Sequence, residues 1–261
     1  PYFKRMENCQ TGGDAFRGDE GPLKMERGPC DNPLFSAFFD AVQQAGYPLT
    51  DDVNGYRQEG FASFDRNLYR GRRLSAARAY FHPVKNRTNL TVIFRTLVSR
   101  ILFEGKKVKG IEYVNEKGVR TSCFVNREVI LSAGALGSPQ ILMRSGIGDS
   151  NDITKHGIGM VHELKGVGKN LQDHYGVTSA FYATQPVTLH RSASWLSTQI
   201  AGIKYLLFGT GDAAYPPCSG GAFIKSSPDK DLPDTQLHYV SVQSQDQHFR
   251  EGVTLDHGFG C

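Results

Sequence analysis

Glu128-Val129-Ile130-Leu131-Ser132-Ala133-Gly134-Ala135-Leu136-Gly137-Ser138-Pro139 is the stretch whose reading decides the fold. Its apolar run, Val129–Leu131, is compact enough to be buried on both faces, as a strand inside a parallel sheet is. Ala133-Gly134-Ala135 then removes side-chain bulk at the end of that strand. Ser138-Pro139 predicts a helix start, with Ile141 and Leu142 as its apolar residues and Gly146 as its stop. A strand, a small-residue turn and a helix amino terminus bring backbone close to a flat or anionic ligand. The helix end favours negative charge by roughly 0.3–1 kcal/mol at an exposed site. An ordinary tight turn would use the same residues, so the stretch alone leaves both readings open. No Gly-x-Gly-x-x-Gly follows a first strand anywhere in the chain. A nucleotide site is therefore expected to be incomplete within it.

Upstream of this stretch, four short runs rich in β-branched residues predict strands: Leu90–Phe94, Leu97–Phe103, Val108–Val114 and Val119–Val125. Gly105-Lys106-Lys107 and Glu116-Lys117-Gly118 punctuate them as hairpin turns, so an antiparallel meander is expected. Residues 1–31 are polar and Gly-rich, a short helix followed by loops. Asn32 can cap a helix that Pro33 begins, with Leu34, Phe38, Val42 and Ala45 on one face, Gly46 as its stop and Pro48 beyond. Gly71–Tyr80 reads as a loop entering a helix capped at Ser75 and ended by Pro83. Downstream, Gly166–His174 is a tight polar link, a helix is expected from Ser194 to Phe208, and a half-buried strand from Thr235 to Val242.

Composition narrows the class. With 39% hydrophobic and 21% charged residues over 261 positions, the chain reads as globular and not as a disordered tail. A formal charge of +4 is modest, and Arg70, Arg72 and Arg73, the densest basic group, are too few to argue for nucleic acid. No run of about 18 apolar residues predicts a membrane span. Lys4, Arg5 and Glu7 open a polar segment where a signal peptide would be apolar. The five cysteines form no Cys-x-x-Cys pair, which speaks against structural zinc or a disulfide framework and for a reducing compartment. No His-x-x-x-His pair suggests a metal. Asp173-His174 lacks the Gly-x-Ser-x-Gly elbow a hydrolase triad would need, so a structural pair tying two segments together is the reading taken.

Three blocks in order carry a family resemblance. Gly134-Ala135-Leu136-Gly137-Ser138-Pro139-Gln140-Ile141-Leu142-Met143-Arg144-Ser145-Gly146-Ile147-Gly148 resembles the second signature of the glucose–methanol–choline (GMC) oxidoreductases. Gly166-Val167-Gly168-Lys169-Asn170-Leu171-Gln172-Asp173-His174 resembles that family's next block, and Gly71–Tyr80 an earlier one. The branch most similar is that of the choline-dehydrogenase-like alcohol dehydrogenases.

The resemblance implies an α/β fold (α+β overall): a partial FAD-binding domain with a parallel sheet and a β-meander, plus a substrate domain of antiparallel sheet and helices. The expected boundaries are 1–64 for the amino-terminal part of the substrate domain, 65–174 for the FAD-binding part and 175–261 for the rest of the substrate domain. It places the backbone of Val98 against the adenine of FAD, and Ala133 and Gly134 against the flavin nucleotide. Asn170, Asp173 and His174 fall at the cofactor site where the two domains meet, in positioning roles. Tyr175 and Trp195 are candidates for the substrate pocket wall, with core packing as the other reading. No catalytic residue is assigned, because the family's histidine base lies further toward the carboxyl terminus. The chain thus reads as an internal fragment, without an initiator Met or a closing element.

The implied activity is oxidation of a small primary alcohol to an aldehyde by hydride transfer to FAD. Rival readings are choline dehydrogenase specifically, an oxidase using oxygen, a lyase of the same fold, and a flavin-free structural module. Choline-specific members resemble one another in a Glu two residues after the block's last His; here that position is Gly176. The electron acceptor is left open, no nucleic-acid partner or metal is expected, and cytoplasmic and peripheral-membrane locations both stand.

Overall fold

The computed structural model describes residues 1–185, 187–189, 195–214, 218–241 and 258–261. The chain divides into two compact units, residues 1–87 with 177–261, and residues 88–176. The first unit opens with α1 (Tyr2–Met6), β1 (Glu7–Cys9), β2 (Leu23–Arg27), α2 (Pro33–Gln44), β3 (Gly60–Ser63), β4 (Asp65–Arg66), β5 (Leu68–Tyr69) and β6 (Arg72–Arg73). The second holds β7 (Thr96–Glu104), β8 (Lys107–Asn115), β9 (Arg120–Phe124), α3 (Gly134–Arg144), β10 (Ile147–Gly148), α4 (Ser150–Thr154) and β11 (His162–Glu163). The first resumes with β12 (Ala180–Tyr182), α5 (Trp195–Phe208), β13 (Cys218–Ile224), β14 (Thr235–Val240) and β15 (Gly258–Gly260).

The larger sheet of the first unit runs β12-β15-β14-β13-β3, and each neighbouring pair in it is antiparallel. β13 is unusual for an interior strand, because it carries Ser219-Gly220-Gly221-Ala222 where bulky residues are the rule. The packing supplies the reason. A Cβ added to Gly220 would lie 3.3 Å from the rings of Phe35 and Phe39, while one on Gly221 would meet the Phe64 ring at 2.7 Å. Small residues let aromatic rings lie directly on the strand from both faces. Val42 and Phe61 are buried with the fully enclosed Ala222, and Phe38 stacks on Tyr239 with centroids 4.1 Å apart.

α2 forms as its sequence predicts. The Asn32 side chain accepts the Leu34 N–H at 2.9 Å, Pro33 opens the helix, and Gly46 reverses the chain at φ +85°. Its buried face is centred on Phe35 and Val42, with Phe38 and Phe39 half-buried; Ala45, expected inside, is exposed. The stripe is rotated because Phe35 packs against Tyr239 of the sheet, their rings 5.2 Å apart.

A buried ion cluster ties the amino-terminal segments of this unit together. Arg17, 3% exposed, donates to Glu7 at 3.1 Å, to Asp65 at 2.7 Å and to Asp52 at 2.5 Å, while Arg27 donates to Asp65 at 3.0 Å. Burial alone would raise the Asp65 pKa; hydrogen bonds from Arg27 and Arg17 outweigh it and leave the carboxyl below its ordinary range. Burial likewise opposes the Arg17 charge, and its bonds to Glu7 and Asp65 reverse the balance and raise its pKa.

In the second unit the meander is present as three antiparallel strands, β7-β8-β9, turning at Gly105 (φ +58°) and Gly118 (φ +77°). Three expectations need correction. Leu90–Phe94 forms no strand. Glu128–Ser132 joins no ladder among the described residues, and Ile130 is 79% exposed; the parallel strand pairs among the described residues are β1 with β2 and β10 with β11. A strand needs a neighbouring strand to pair with as well as composition, and neither run is paired with one among the described residues. Finally, α3 begins at Gly134 and takes Pro139 inside, where the missing N–H removes one intrahelical bond. In the first unit, the helix expected after Ser75 is a single wide turn over Ala77–Phe81, and α5 begins at Trp195, Ser194 lying outside the described residues. β14 ends at Val240; Val242, the expected end, also lies outside them.

Candidate functional site

The residues expected to form a site in the second unit fall on the meander, at the start of α3 and in the segment after β11. Val98 sits half-buried on β7, paired with Tyr113, and the next residue, Ser99, is the extra residue of a β-bulge. Such a bulge bends the strand and re-aims the side chains on either side of it. Immediately beyond, the Ile101 N–H donates to Ser145 Oγ at 2.8 Å, and that hydroxyl donates in turn to the Ile141 carbonyl. One buried serine thus joins the end of α3 to β7. Replacing Ser145 with Ala should leave the Ile101 amide buried without an acceptor, costing about 1–3 kcal/mol. A fall in the urea midpoint with faster exchange of the Ile101 amide is the expected readout; an unchanged midpoint would refute the role.

Ala133 and Gly134 lie exposed at the amino terminus of α3. Gly134 adopts φ +83°, where L side chains are strained. A Cβ placed there would meet nothing within 4 Å, so the bend is open on its outer side and not packed against side chains. Ser138 Oγ accepts the Ala133 N–H at 2.9 Å and holds the bend closed on itself. The first amides of α3 have no partner within the helix, the general condition of a helix start.

The block Gly166–His174 comes back onto α3. A Cβ on Gly168 (φ +77°) would lie 3.0 Å from Met143 Sδ, which brings two sequence blocks into contact. Lys169 bonds Asp152 at 2.7 Å, and hydrogen bonds from Lys169 and Lys155 hold that carboxyl down to about 2. Asn170 takes a left-handed backbone at φ +55°. Asp173 accepts the backbone N–H of His174 at 2.7 Å, so its carboxylate bonds the adjacent main chain. Tyr175 is 95% exposed; Trp195, in the other unit, opens α5 and is exposed as well.

A cavity of about 530 Å³ in this unit is lined by Arg100–Phe103, Arg144, Ser145, Gly157–Gly159 and Val161. Val98 and Gly134 are not among its lining residues. Sequence reasoning did not single out Ser99 or Ser145. The signal available for Ser145 was its place just before the helix-ending Gly146.

Residues 1–176 match the family model for the GMC oxidoreductases. The chain belongs to that family. Among curated relatives, mitochondrial choline dehydrogenase of Mus musculus is 45% identical over 258 residues, covering 99% of this chain and 41% of that protein. Oxygen-dependent choline dehydrogenase of Staphylococcus xylosus is 45% identical over 93% of this chain and 43% of that protein. Formate oxidase of Aspergillus oryzae RIB40 superposes with a TM-score of 0.85 at 21% identity, covering 100% of this chain and 51% of that one. Pyridoxine 4-oxidase of Mesorbium loti gives 0.77 at 26% identity, over 100% and 48% respectively. The chain therefore has the GMC fold, and it spans less than half the length of the two choline dehydrogenases.

Proposed function

We propose that the protein carrying this chain oxidises the CH–OH group of a small primary alcohol to an aldehyde, using FAD. Bound FAD would supply the hydride acceptor. The open Gly134 bend at the start of α3 carries this reading: main chain there is accessible and left-handed, and the helix end favours a phosphate or a reduced, anionic flavin. In this reading Ala133 and Gly134 hold the cofactor through backbone, and the Val98 main chain takes the adenine. Asn170, Asp173 and His174 position the crossover toward the substrate side, and Tyr175 and Trp195, each in its own unit, are the aromatic candidates for contact with the alcohol. No residue of the chain is assigned as the base.

The names of the relatives make choline the first substrate to test, while Gly176 leaves the carboxylate of choline-specific members unmatched. A quaternary ammonium would then depend on aromatic faces for its recognition.

The test is a flavin titration of the whole protein that carries this chain, followed by fluorescence, beside the same titration of its Gly134→Leu variant. Saturable FAD binding is expected, and the variant should weaken it at least about tenfold, because both the left-handed backbone and the close approach are lost. Circular dichroism of the variant separates lost binding from lost folding. A whole protein that binds no FAD, or a folded variant that binds it equally well, overturns the assignment in favour of a flavin-free module. In a flavin-loaded enzyme, anaerobic bleaching of absorbance near ~450 nm by choline but not by an uncharged alcohol would fix the substrate class.

A further inference from the structure

A regular strand turns alternate side chains to opposite faces, yet Arg100, Ile101, Leu102 and Phe103 all line the cavity of the second unit. β7 is irregular along that run. Its register on β8 shifts between Val98 and Arg100, and again between Leu102 and Phe103. Such bulges re-aim side chains and sharpen the twist, which lets four consecutive residues reach one cavity. Its volume, about 530 Å³, falls within the roughly 300–1,000 Å³ of small-molecule sites.

The walls carry charge of one sign. Arg100 and Arg144 line the cavity, and among the described residues no Asp or Glu does. Glu112 is shared between Arg100 and Arg120, at 3.3 Å from each. Arg144, exposed in the last turn of α3, makes no ion pair among the described residues. The carbonyls of Ile141, Leu142 and Met143 at that helix end already accept the Ser145 and Gly146 amides. The remaining wall is mostly apolar: Ile101 is buried, and Leu102, Phe103, Ile158 and Val161 are half-buried. A Cβ on Gly157 or Gly159 would meet nothing within 4 Å, so main chain borders open space there.

We propose that this cavity is a second ligand site, for a small carboxylate with an apolar or aromatic body. A guanidinium holds a carboxylate through two parallel N–H···O bonds. The apolar side chains favour a ligand with a body to bury over a bare ion. Gly134 and Arg144 stand at opposite ends of α3, about 15 Å apart, so the cavity is separate from the open bend and does not depend on the cofactor reading. Ser145 lines the cavity and also bonds the Ile101 amide. An occupied cavity therefore braces the joint between α3 and β7.

Calorimetric titration of the whole protein that carries this chain tests this, with phenylbutyrate, its uncharged amide and inorganic phosphate as probes. Saturable binding is expected for the carboxylate, with the amide and phosphate weaker by about tenfold or more. Arg144→Gln should weaken the carboxylate by a similar factor. Hydrogen exchange should slow at Ile101 and across residues 141–146 when the carboxylate binds, which locates the probe. The amide comparison uses the unaltered protein and stays decisive if the variant fails to fold. No carboxylate binding, an amide or phosphate that binds as well, a folded variant that binds equally, or protection only elsewhere would each overturn the proposal. None of these outcomes reads the flavin, so a failure of FAD binding is told apart from a failure here.

Discussion

Replacing Arg17 with Met is expected to lower the unfolding free energy by about 3–5 kcal/mol, the cost of removing one partner from a buried ionic network. Arg17 is 3% exposed and satisfies Glu7, Asp52 and Asp65, whose side chains are 10%, 21% and 2% exposed. Without it Asp65 keeps Arg27, while Glu7 keeps only the Gly18 N–H at 2.8 Å among its contacts in the cluster. Met fills much of the volume, so the loss is electrostatic rather than a cavity effect. The pH dependence carries a sign. The folded-state pKa of Asp65 is lowered from 3.8, so the stability it contributes is fully present above that value and is lost as pH falls through the folded pKa. In Arg17→Met that depression is reduced, because Arg27 alone is then left to oppose the upward push of burial. The gap between the two proteins should therefore be widest near neutrality and shrink below about pH 4. Urea unfolding at pH 7 and at pH 3 measures both values, and a gap that widens in acid would contradict the cluster's role.

Placing Val at Gly221 should cost about 3 kcal/mol or more, enough to unfold the first unit in a protein of ordinary margin. The added Cβ would lie 1.9 Å from the Leu237 carbonyl oxygen and 2.7 Å from the Phe64 ring. Leu237 belongs to β14, so relief by backbone movement would break the ladder that pairs Ala222 with Leu237 and Gly221 with His238. Thermal unfolding followed by near-ultraviolet circular dichroism, which reports the aromatic cluster of Phe35, Phe38 and Tyr239, should show a large fall in midpoint. Retention of the native midpoint would mean that β13 does not pack as described.

Some of the fold was written in local chemistry. The cap at Asn32, the proline after it and the left-handed Gly46 delimit α2, and Gly105 and Gly118 set the turns of the meander. These act within a few residues of themselves, so their effect survives translation from sequence to structure. The small-residue bend at Ala133–Gly134 was legible too, and its outer side is open. The strand β13 was not legible. Its glycines score against a strand, and they are there because Phe35, Phe39 and Phe64 lie on them from distant parts of the chain. The same holds for Ser99 and Ser145, whose importance comes from a bulge and from an amide 44 residues away.

By itself, then, the sequence determined the family, through three ordered blocks, and those elements whose hydrogen bonds close within the segment. Tertiary structure alone decided which apolar runs became strands. It also gathered Glu7, Asp52 and Asp65 around Arg17, and it brought Arg144 to the same cavity as Arg100. The physical reason is the same throughout. A helix or a turn satisfies its own backbone, whereas a strand, an ion cluster or a surface exists only through partners that the chain brings from elsewhere.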